Sequence, residues 1–96
     1  MVTLTGNNSL VLLIRISDFT FGYIHKTPAI SGKEAVSIGK QNLISNSAVP
    51  CDVGDPTRRW NIYVNVTNGE VTLRNQTSDS IGNAYYKGCF ILHQTK

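Results

Sequence analysis

The sequence predicts an all-β chain, an antiparallel β-sandwich or jelly-roll-like barrel of six to eight short strands. Residues 60–74, WNIYVNVTNGEVTLR, alternate apolar and polar side chains on both sides of Asn68-Gly69. That pair suits a tight hairpin turn, whose two central residues both need φ > 0. Residues 9–17 read as a strand apolar on one face and half apolar on the other, and residues 19–25 set aromatic residues at every second position, as strands do. Charged residues make up only 16% of the 96, against roughly 25% in an average soluble domain, while Gly, Ser, Thr and Asn are plentiful. Such a composition fits a turn-rich sheet protein with a neutral, hydrogen-bonding surface, or one partly covered by partners.

In chain order, residues 3–5 predict a short strand that reaches the next one through Gly6-Asn7-Asn8. In residues 9–17, SLVLLIRIS, Leu10, Leu12, Ile14 and Ile16 share one face, and Val11, Leu13, Arg15 and Ser17 the other. The second face is half apolar, which implies cover on both sides for the first half of the strand. Asp18 marks a tight turn, and residues 19–25 return with Phe19, Phe21 and Tyr23 on one face. Gly22 inside that strand points to a bulge or a close neighbour. Residues 26–50 are divided by Pro28, Gly32 and Gly39, leaving residues 36–38 as a short strand at most, with a one-turn helix over 33–38 as the weaker alternative. Residues 45–56, broken by Pro50, Gly54 and Pro56, read as loop. In the hairpin itself, a turn at Asn68-Gly69 sets Val66 opposite Val71, Val64 opposite Leu73 and Ile62 opposite Asn75, so the apolar residues share one face. Residues 76–83 read as a polar loop. Residues 84–93 form a last strand with Tyr86, Phe90 and Leu92 opposite Tyr85, Cys89 and Ile91. The whole chain, 1–96, is expected to be a single domain.

The chemistry-bearing residues exclude more than they select. His25 and His93 stand in no metal-ligand spacing, and neither do Cys51 and Cys89. No cofactor or metal is expected. The six carboxylates form no recognisable acid–base pair, and no nucleophile lies beside a base in the sequence, so no enzymatic activity is expected. The net charge of +3 is scattered, with Arg58-Arg59 the only adjacent basic pair, which argues against a nucleic-acid footprint. The apolar run 10–14 is too short to cross a bilayer, and the N-terminus carries no export signal. That predicts cytoplasmic synthesis, or a piece of a longer chain, with free thiols favoured over a disulfide.

Binding features are better represented. Arg58, Arg59 and Trp60 open the central hairpin, Asp55 lies on the approach to it, and Tyr85-Tyr86 put one ring on each face of the last strand. Aromatic rings stack on sugar faces, and paired arginines hold anionic groups. Asp55, Arg58, Arg59 and Trp60 are therefore the candidate ligand-binding residues, with Tyr85 as a further candidate. The competing reading makes Trp60 a core residue.

The order of these features resembles the C-terminal receptor-binding heads of bacteriophage tail fibres and baseplate proteins, especially those of phages infecting Gram-positive bacteria. The likeness runs from VLLIRISDFTFGYIHKT through ISGKEAVSIG and SNSAVPCDVGD to WNIYVNVTNGEVTLRN and NAYYKGCFIL. It implies a β-sandwich head, a homotrimer in the virion tail among other tail or baseplate proteins, and non-catalytic recognition of cell-wall saccharide or teichoic acid. It fixes no ligand-contacting residue. Such heads normally follow a shaft, so this chain would be an excised head or a short adhesive subunit. Three alternatives stay open: a bacterial adhesin or toxin-type glycan-binding subunit with a Cys51–Cys89 disulfide, a purely structural virion protein, and a small hydrolase.

Overall fold

A computed structural model describes residues 1–93. The predicted hairpin forms as β6 (Arg58–Thr67) and β7 (Glu70–Asn75), with Val66 opposite Val71, Val64 opposite Leu73 and Ile62 opposite Asn75. Asn68 and Gly69 have φ of 51° and 85°, as the turn requires. Trp60, Ile62, Val64, Val66, Val71 and Leu73 are all buried. Alternation and turn chemistry thus demand the same register, and the chain adopts it.

Two more strands extend this sheet, giving the order β4-β7-β6-β5 with β4 at Ala35–Lys40 and β5 at Ser47–Asp55. β4 contains and lengthens the short strand read over 36–38, while β5 corrects the sequence reading. Residues 33–38 hold no helix, because Ala35, Val36 and Ser37 pair antiparallel with β7 and a bulge before Gly39 carries the pairing on to Lys40. The stretch read as loop is a nine-residue strand paired along its length with β6. Its Pro50 is tolerated because β5 is an edge strand, where a missing N–H breaks no ladder on the open side.

The other sheet has the order β1-β2-β3-β8, from Val2–Leu4, Leu10–Ile16, Phe19–Lys26 and Gly88–Leu92. The last strand is shorter than expected, since residues 84–87 lie outside it. Between β2 and β3 a tight turn runs through Ser17, with φ 57°, and Asp18. Gly22 admits the Phe90 ring, which a Cβ there would meet at 2.1 Å.

The two sheets face each other across one core. Val11, Leu13, Ile24, Phe90 and Leu92 come from the first sheet, while Ile38, Val53, Ile62, Val64 and Leu73 come from the second. Ile30 and Ile81, joined by a backbone bridge, plug one end. At one edge the sandwich is closed by mutual hydrogen bonds between Gly54 and Lys87, of 3.1 and 2.9 Å. At the other edge Asn7 Nδ2 donates to the Ser37 carbonyl at 2.6 Å.

Burial also fixes which side of β2 faces inward, which the sequence left open. Val11 and Leu13 are fully buried, whereas Ile14 and Ile16 are 45% and 55% exposed. The more apolar face is therefore the outer one. Phe19 and Ile91 join it, at 41% and 53% exposed. The second sheet presents the opposite character, with Asp52, Arg59, Asn61, Thr67 and Arg74 exposed on its strands.

Cys51 and Cys89 are free thiols at the β5–β8 seam, where the buried Cys51 Sγ donates to the Cys89 carbonyl at 3.3 Å. Burial above all, then the Asp52 carboxylate and Cys89, push the Cys51 thiol up to about 11. The fold thus favours its neutral form, which is unreactive. In a Cys89→Ser variant at pH 7, a thiol reagent should label nothing until denaturant is added; rapid labelling of the native protein would contradict this placement. Since the folded pKa lies above the unfolded one of 9.0, the stability gained is present below pH 9 and is lost as pH rises towards 11.

Candidate functional site

The β5–β6 turn gathers three of the candidate residues. Asp55 pairs with Arg58 across Pro56-Thr57. One oxygen, Asp55 Oδ1, accepts from the Thr57 hydroxyl at 2.7 Å, the Thr57 amide at 2.8 Å and the Arg58 amide at 3.0 Å. The Thr57 hydroxyl foremost, with those amides, holds the Asp55 carboxyl below the usual carboxylate range. Its role in the turn is complete without a ligand, as for many aspartates that bond to the backbone two residues on.

Arg58 and Trp60 are two residues apart on one strand and so share a face. The Arg58 guanidinium lies over the indole, 4.6 Å from its centroid. The Tyr86 ring packs at 4.6 Å with a tilt of 52°. Trp60 is only 3% exposed, so it offers no free face to a sugar and belongs to the core. What the turn presents to solvent is the guanidinium resting on it. Arg58 Nη2 also donates to Asp79 at 2.9 Å. Both partners are more than half exposed, so that bridge contributes at most about 1 kcal/mol. Four of the five guanidinium N–H donors remain for other acceptors. Arg59 points to the other side of the strand, 3.8 Å from Asp52 and 75% exposed.

Tyr85 stands apart from this group. It is 61% exposed, with the His25 ring edge-on at 5.3 Å and Lys26 Nζ at 5.4 Å from its centroid. The Tyr23 hydroxyl and His25 Nδ1 lie 3.2 Å apart. The segment carrying Tyr85 is held firmly. Thr27 Oγ1 donates to the Gly82 carbonyl at 2.8 Å, and Asn83 Nδ2 donates to the Asn8 and Thr27 carbonyls at 2.9 and 2.8 Å. An exposed ring beside a cation on a fixed backbone is a preorganised stacking surface.

The structure thus joins Asp55, Arg58 and Trp60, turns Arg59 to the opposite face and leaves Tyr85 in a second cluster. Sequence reasoning missed Asp79, His25 and Lys26 as neighbours. The two-residue spacing of Arg58 and Trp60 on a strand was the signal that could have shown the cation–ring contact, but nothing local announces a partner 21 residues away. Among the described residues no three of His, Cys, Asp and Glu gather as a metal site.

No family model matches the chain, and no curated protein matches it significantly. Its structure is similar to the crystal structure of the head domain of phage bIL170, studied for a common fold among the receptor-binding domains of lactococcal phages. The TM-score is 0.66 at 8% identity, over 93% of this chain and 87% of that one. At that identity the likeness establishes a shared fold.

Proposed function

We propose that this chain is the host-recognition head of a phage tail, binding a cell-surface saccharide or teichoic acid of a Gram-positive host without cleaving it. The observation that carries the reading is the fold, which follows a phage receptor-binding head over nearly its full length. The surface chemistry agrees with it. Arg58 and Arg59 offer exposed guanidinium groups to the phosphates of an anionic polymer, and Tyr85 with Lys26 offers a ring and a cation to a sugar. Asp55 and Trp60 set the position of Arg58. Each such contact is weak because water competes for the same groups. Three copies in a homotrimer, held among other tail or baseplate proteins, raise the affinity through effective concentration.

The test is adsorption of Arg58→Ala/Arg59→Ala to anionic cell wall. Binding should weaken by roughly tenfold, the equivalent of about 1.4 kcal/mol, and its salt dependence should flatten. Unchanged adsorption would remove both arginines from the site.

A further inference from the structure

We infer that the outer face of the β1-β2-β3-β8 sheet is where a second copy of this chain seats, with Ile16 and Phe19 of one copy entering the groove between Leu12, Ile14, Phe21, Tyr23 and Ile91 of the next. The inference rests on the multimeric head proposed above and assigns the surface that builds it. Along β2, β3 and β8 the outward positions from Leu12 to Ile16, from Phe19 to Tyr23 and at Cys89 and Ile91 carry no ionised side chain, and His25 and Lys26 lie beyond them at the end of β3. The inward positions Val11, Leu13, Ile24, Phe90 and Leu92 are apolar too, so over this stretch the sheet is apolar on both sides, the pattern of a sheet covered on both faces. The second sheet, whose outer face is polar, supplies the contrast within the same molecule.

Shape and charge single out a like copy as the occupant. The face carries both halves of a contact. A groove of about 360 Å³ opens between Leu12, Ile14, Phe21, Tyr23 and Ile91. At the β2–β3 turn, Ile16 and Phe19 project from the same face, with the Phe19 ring braced by Phe21 at 6.4 Å and His93 at 5.2 Å. Knob and groove are offset along the strands by roughly 7–13 Å, two to four residues at about 3.3 Å each, so one copy's knob reaches the next copy's groove by a slide. Such a contact closes into a ring when its rotation permits. A chain of net charge +3 repels its own copies least through the middle of this face, which carries no ionised side chain.

Size is consistent with this role. With strands of 3, 7, 8 and 5 residues, at roughly 3.3 Å by 4.8 Å per residue, the sheet spans a plane of about 360 Å² before side-chain relief is counted. That flat area is a little under half of the roughly 800 Å² per partner in a standard interface, and the projecting Ile16 and Phe19 side chains add to it.

Sedimentation equilibrium of the full chain, run beside wall adsorption, tests the assignment. Wild type at tens of micromolar is expected at three times the 10.5 kDa chain mass. Ile14→Lys/Ile91→Lys changes two exposed positions and should keep the β-sheet circular dichroism while the mass falls threefold. Tyr63→Lys, on the outer face of the other sheet, should leave the mass unchanged. A monomeric wild type, a folded double variant that keeps the wild-type mass, or dissociation by Tyr63→Lys would each overturn the assignment. The host-recognition reading would survive any of these if the wild type still adsorbed to walls. Conversely, a trimer that dissociates as expected but adsorbs to no wall upholds the surface and removes that reading.

Discussion

Trp60→Ala is expected to lower folding stability by about 3–5 kcal/mol, the range for emptying a large aromatic site in a core. The indole is 3% exposed, contacts the Arg58 guanidinium and the Tyr86 ring, and packs with the core cluster. Small domains have only about 5–15 kcal/mol in total, so this one substitution threatens the fold. Trp60→Phe isolates the cause. The indole N–H is buried with no acceptor among the described residues, so deleting it breaks no hydrogen bond. Phenylalanine should therefore cost less than half as much as alanine in urea denaturation, and wall adsorption should persist. Adsorption lost in a Trp60→Phe variant of near-normal stability would instead place the indole in contact with ligand.

Asn75→Ala is expected to cost about 3 kcal/mol although it removes only a small polar side chain. Asn75 is fully buried at the end of β7. Its Nδ2 donates to the Asp79 carbonyl at 2.6 Å and to the Ile30 carbonyl at 3.3 Å, while its Oδ1 accepts from the Thr77 amide at 2.9 Å and hydroxyl at 2.7 Å. Alanine leaves buried backbone groups without partners, at roughly 1–3 kcal/mol for such a loss. Asn75→Asp keeps the acceptor but sets a carboxylate against carbonyls, and should be no milder. The loop 76–81 would loosen with it. Because the Asp79 side chain pairs with Arg58, wall adsorption should also fall. Chemical denaturation of the two variants checks both statements, and a cost below about 1 kcal/mol for alanine would show that the loop holds itself.

These two residues mark how far the sequence could be read. The strand alternation placed Trp60 on the same face as Ile62 and Val64, so its burial was legible as one of two readings. The register set Asn75 opposite Ile62, yet nothing local showed that a polar side chain there would organise a loop through contacts as far away as Ile30. β5 was hidden for a different reason. Pro50 and Gly54 are breakers by local rule, and only the pairing with β6 along one side makes a strand across them, ending before Pro56. In β2 both faces were apolar, so periodicity gave a strand but no inward direction. The second sheet supplied it by covering Val11 and Leu13. The candidate site was legible as residue types, Arg58 with Trp60 in R-x-W and Tyr85 near the end. Its division into two clusters depends on Asp79, His25 and Lys26, which reach it only through the fold.

The most direct test of host recognition is adsorption of the intact chain to purified walls from a panel of Gram-positive bacteria, before and after chemical extraction of their anionic polymers, with soluble sugar measured in the supernatant. Host recognition without cleavage predicts saturable adsorption to at least one wall, loss of that adsorption after extraction, and no sugar released. Failure to adsorb to any wall, or release of soluble fragments, would contradict it.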